Sequence, residues 1–110
     1  MAYFRASIGG GGSQVVTGNI TGSTSDLTIT LGFKPKKLYI YDQSTTYPHS
    51  CIYDEDASTT KFLRNVYSGS GSTVAWTNMT STATYSIRGI SNTGFTFKGN
   101  GRASNYVAIK

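Results

Sequence analysis

Residues 26–33 read DLTITLGF, with Leu27, Ile29, Leu31 and Phe33 in one phase and Thr28, Thr30 and Gly32 in the other. Successive side chains of an extended chain point to opposite faces, so this alternation predicts a strand with one buried side. Lys34-Pro35-Lys36 closes it, because proline has no N–H to give to a ladder. Residues 37–42 (KLYIYD) repeat the pattern, with Leu38 and Ile40 on one face and Tyr39 and Tyr41 on the other. Residues 50–54 set Cys51 and Tyr53 against Ile52, and residues 61–67, 73–79, 85–91, 95–98 and 105–110 supply five more short segments of strand composition. Val74 and Trp76 share a phase, as do Phe95 and Phe97.

Turn chemistry separates these segments: SGSGS at 68–72, Asn92-Thr93-Gly94, and Gly99-Asn100-Gly101. The acidic stretch from Asp54 to Asp56, with the residues that follow it, reads as a hairpin loop. Gly89 lies inside a strand segment and predicts a bulge there. No segment sustains a 3.6-residue period. The predicted fold is therefore all-β: an antiparallel β-sandwich, jelly-roll or immunoglobulin-like, of about eight short strands with almost no helix. Phe33, Phe62, Phe95 and Phe97 are its expected core aromatics.

The first 14 residues stand apart. Gly9 to Gly12 form an unbroken glycine run, which costs too much backbone entropy to be a strand or helix interior. Residues 1–14 are expected to be a flexible arm carrying Tyr3, Phe4 and Ile8 ahead of a hinge, either docked on a neighbouring subunit or frayed. Residues 15–110 are then one domain, since 110 residues suffice for one and not for two. A domain of this size has a modest stability margin, which self-association would improve.

Composition excludes several function classes. The aromatic share, 13%, is too high for a disordered chain. Cys51 is the sole cysteine, so no intrachain disulfide forms. No apolar run reaches the roughly 20 residues that span a bilayer, and none follows the start as a signal peptide would. The expectation is synthesis in a cytoplasm without export by that route, and no membrane partner. Ten Lys and Arg against five Asp and Glu give a net charge of +5. Of the cations only Lys34, Lys36 and Lys37 cluster, and no nucleic-acid-binding motif accompanies them, so nucleic acid is disfavoured as a partner.

Candidate chemistry is sparse. His49 is the one histidine; Cys51 lies two residues on, but no nucleophile motif frames either. One Cys and one His cannot complete a zinc site, and the Asp54-Glu55-Asp56 run lacks EF-hand spacing. The glycine run is followed by neither Lys-Ser/Thr nor a helix, so it is no phosphate loop. No catalytic residue, metal or cofactor is expected. What remains is aromatic. Tyr39 and Tyr41, opposite Leu38 and Ile40, are candidates for an outer face beside Lys36 and Lys37, and with Trp76 they form the candidate ligand-binding set. Such tyrosines either stack on sugar rings or bases, or pack between subunits or against a second sheet.

Two phrases carry a resemblance. LGFKPKKLYI at 31–40, and Thr93-Gly94-Phe95-Thr96-Phe97 followed by Tyr106-Val107-Ala108-Ile109, resemble phrases of small bacteriophage and prophage virion proteins of the tail, tail fibre or head. The resemblance spans residues 27–110 as short phrases and carries no functional residue across. It implies a β-sandwich building block, made in a bacterial cytoplasm and resident in the virion. Its partners would be other virion proteins and further copies of itself, a trimer being the expected state. The alternative is a lectin-like carbohydrate-binding module contacting cell-surface glycan.

Overall fold

In the computed structural model, which describes residues 3–6, 13–43, 48–58, 61–67, 74–78 and 85–110, the alternating segments all become strands. They are β1 (Tyr3–Ala6), β2 (Ser13–Ile20), β3 (Leu27–Thr30), β4 (Lys37–Asp42), β5 (Ser50–Asp54), β6 (Phe62–Tyr67), β7 (Val74–Asn78), β8 (Ser86–Ser91), β9 (Gly94–Lys98) and β10 (Ser104–Ile109). Every pairing is antiparallel, and no helix occurs among the described residues. The all-β expectation holds. Two strands exceed the eight segments read from the sequence, β1 and β2. Their hairpin folds residues 3–6 back along Ser13 to Val16, within the stretch read as an arm. The glycines of the expected hinge, residues 9–12, lie outside the described residues.

The strands form a seven-stranded sheet, ordered β1-β2-β10-β4-β5-β6-β7, and a three-stranded sheet, β3-β9-β8. The chain passes between the sheets four times, at β2–β3, β3–β4, β7–β8 and β9–β10. β2 then pairs with β10 in one sheet while β3 pairs with β9 in the other. A jelly roll also has two antiparallel sheets. Here, though, the strands divide seven and three rather than evenly.

One core joins the sheets. Ile20, Leu38, Ile40, Cys51, Tyr53 and Ala108 from the large sheet meet Ile87, Phe95 and Phe97 from the small one, with Tyr85 just before β8. Phe95 and Phe97 are almost wholly removed from water, a burial that stabilises by about 1.5–3 kcal/mol per side chain. Tyr85 meets Phe97 edge-on at 4.9 Å, and Phe95 meets Tyr106 at 5.4 Å. Phe33 is buried as expected, while Phe62 is half-buried against Tyr53.

Local departures have local causes. The strand expected over 26–33 stops at Thr30, because Gly32 adopts φ 85° and the amides of Leu31 and Gly32 both turn to the carbonyl of Thr93. The bulge expected at Gly89 is present: the β8–β9 register slips between Ile87 and Gly89.

Candidate functional site

The burial of β4 alternates strictly, with Leu38, Ile40 and Asp42 inside and Tyr39 and Tyr41 outside. Tyr39 and Tyr41 are 39% and 45% exposed. Both stand on the face of the large sheet that the small sheet does not cover. Registry places their neighbours in two rows about 7 Å apart along the strands. In the first row Tyr39 lies between Val107 on β10 and Ile52 on β5, and Ile52 lies beside Leu63 on β6. That row is apolar across four strands. In the second row Tyr41 lies between Asn105 and Ser50, and Asn105 is opposite Asn19 on β2. That row is polar and uncharged.

A hollow lies over the second row and reaches the first at Thr17 and Val107. Thr17, Asn19, Tyr41, Asn105 and Val107 line a depression of about 340 Å³. Gln43 Nε2 donates to Asn105 Oδ1 at 3.3 Å, which fixes the Asn105 amide. Beneath, Gly18 faces the Tyr106 ring, which leaves no room for a side chain at 18.

The other sequence candidates are placed elsewhere. Lys37 Nζ donates to Asp54 Oδ1 at 2.8 Å and to Asp56 Oδ2 at 3.3 Å. The hydrogen bond to Asp54 raises the Lys37 ammonium above its ordinary value, and the same bond holds the Asp54 carboxyl below its own. Lys37 is therefore engaged within the chain and lies about 13 Å along β4 from Tyr41. Lys36 is exposed just before β4. Trp76 lies on β7, opposite Asn65 in register, and its side chain is outside the described residues.

Among the described residues, His49, buried Cys51 and the Asp54–Asp56 carboxylates occupy separate places, while His49 Nδ1 lies 3.5 Å from Asp42 Oδ2. His49 precedes β5, and its backbone N–H donates to Asp42 Oδ2 at 3.0 Å while its ring rests on Tyr85. Arg102 Nη1 donates to the same carboxylate oxygen at 2.8 Å, and Tyr85 and Ser104 share a buried hydroxyl contact of 2.7 Å. This polar group closes one end of the core. Asp54 and Asp56 lie at the far end of β5, tied to Lys37. Cys51 is fully buried, and desolvation pushes its thiol far above the usual range, so it supplies no thiolate at neutral pH. No group of three or more metal-ligating side chains occurs among the described residues. Besides Lys37, Lys34, Arg88 and Arg102 each lie 2.8–3.9 Å from a carboxylate, so part of the net charge is met within the chain.

No protein-family model, curated protein or solved structure matches the chain. The case for function therefore rests on the residues and the two rows. Sequence reading found Tyr41 by its phase. It did not bring Asn19 and Asn105 together, because they meet only through the pairing of β2 with β10.

Proposed function

We propose that this chain is a non-enzymatic structural protein of a phage or prophage virion, associated with the tail or fibre, working by assembly and host-surface contact. The phrases at 31–40 and 93–109 support the virion reading. The observation that carries assembly is the Tyr39 row: Val107, Tyr39, Ile52 and Leu63 form an apolar strip on four adjacent strands, with nothing from this chain's small sheet upon it. Tyrosine at the centre of an aliphatic strip suits a protein interface, because it offers large area at low rotamer cost. The partners are further copies of the chain, as a trimer, and neighbouring virion proteins.

Light scattering on the purified chain should give a mass three times the 11.8 kDa of one copy. Tyr39→Lys should reduce it to the monomer while leaving the far-ultraviolet circular dichroism unchanged. A wild-type chain that stays monomeric at every concentration, or a Tyr39→Lys variant that still associates fully, sinks the assembly reading.

A second reading, recognition of cell-surface glycan, is favoured by the Tyr41 row. There an exposed ring shares a depression with two amides. The two readings centre on different tyrosines, with Val107 at the border of both. In a trimer, three weak sugar sites would act together through effective concentration.

A further inference from the structure

We infer that the depression over Asn19, Tyr41 and Asn105 is a subsite for one uncharged sugar ring, with Tyr41 as its platform. This rests on the glycan reading above and names where, and for what chemical class, it would hold.

Charge decides the class first. The lining holds no Asp, Glu, Lys, Arg or His. A phosphate, sulfate or uronate would lose its hydration without gaining a counter-ion, a cost that unpaired charge does not recover. Lys37 is too far along β4 and is already held by Asp54 and Asp56. The same absence of cations disfavours a nucleic-acid strand, whose affinity comes chiefly from phosphate neutralisation.

Geometry decides next. β4 and β10 are paired along both edges, so neither has backbone free to add a peptide strand. Recognition must come from side chains alone. The depression, about 340 Å³, sits at the small end of ligand sites and suits a single ring rather than a buried chain. Asn105 Oδ1 accepts from Gln43 Nε2, which leaves the two Asn105 side-chain N–H groups as donors. Asn19, directly across the ladder, offers both donors and an acceptor. Neighbouring hydroxyls of a sugar each donate and accept, and amides on adjacent strands match that pattern. The C–H face of the ring would rest on Tyr41, whose strand position is fixed by ladders on either side.

The test uses the whole chain, labelled with ¹⁵N and titrated with the methyl glycosides of glucose, galactose, mannose and N-acetylglucosamine. Glucuronic acid is the charged control. At least one neutral glycoside should shift the amide signals of Asn19 and Asn105, with a dissociation constant of about 1–10 mM, as expected for a single shallow site. Tyr41→Ala and Asn105→Ala should each weaken binding at least about tenfold, the loss of roughly one good contact. Tyr39→Ala should leave binding essentially unchanged. Retained signal dispersion elsewhere shows that each variant is folded, and Asn105→Asp replaces Asn105→Ala if the latter is not.

Binding that maps to another surface, that survives Tyr41→Ala, or that prefers glucuronic acid overturns this subsite while leaving glycan recognition standing. Absence of shifts with all four neutral glycosides overturns both. The mass measured by light scattering reports on assembly separately.

Discussion

Gly18 and Tyr106 face each other across β2 and β10, and their contact shows how little slack lies under the candidate site. A Cβ at residue 18 would lie 2.6 Å from the Tyr106 hydroxyl and 2.7 Å from its ring. The ring cannot swing away, because its other edge packs on Phe95. Gly18→Ala should therefore destabilise by about 1–3 kcal/mol, the usual cost of overpacking. Thermal melting should show this as a fall of at least about 4 °C in Tm. A second residue-scale expectation concerns Asp54. Its hydrogen bond from Lys37 lowers the carboxyl below the ordinary 3.8. A group depressed in this way contributes stability that is complete above its unfolded value and is lost as pH falls through the folded one. The Lys37 side of the pair behaves oppositely: raised above 10.5, it contributes below that value and loses its contribution as pH rises beyond it. Asp54→Asn should therefore lower the urea midpoint more near pH 6 than near pH 3, and equal losses at both would exclude this assignment.

At the scale of elements, β10 matters most to the large sheet. It lies between β2 and β4, with Val107 opposite Thr17 on one side and Tyr39 on the other. Val107→Pro should cost about 3 kcal/mol or more, since it removes a ladder hydrogen bond and drives a ring into a paired strand. Denaturant unfolding would measure this, and a Val107→Thr control separates the backbone effect from loss of the valine itself. Elements also set what could be read in advance. β4 and β5 were legible because each buries alternate residues on one side only, and Gly89 was legible because a strand tolerates glycine best where its register slips. β2 was not. Val15 and Val16 are adjacent, Gly18 has no side chain, and the alternation that marks the other strands is lost. Its partner is β10, at the opposite end of the sequence, so Asn19 and Asn105 are brought together only by that pairing. Lys37 drew notice as part of a basic cluster, but its cross-strand partner Asp54 was not visible until the register was known.

For the molecule as a whole, the unequal division of strands governs what faces water. The three-stranded sheet lies against one side of the seven-stranded one, and Tyr39 and Tyr41 stand exposed on the other. Its two rows differ in character, apolar through Tyr39 and amide-rich through Tyr41, and Val107 borders both. The same topology has a consequence for biosynthesis. β2 and β4 emerge from the ribosome early, yet the strand that belongs between them is the last of the ten to be translated. Until the nascent chain has passed Ile109, those two strands have an open slot between them, each with an unsatisfied row of amides and carbonyls. An intermediate of this kind invites insertion of a strand from another chain, and crowded polysomes would feel that hazard more than dilute refolding would.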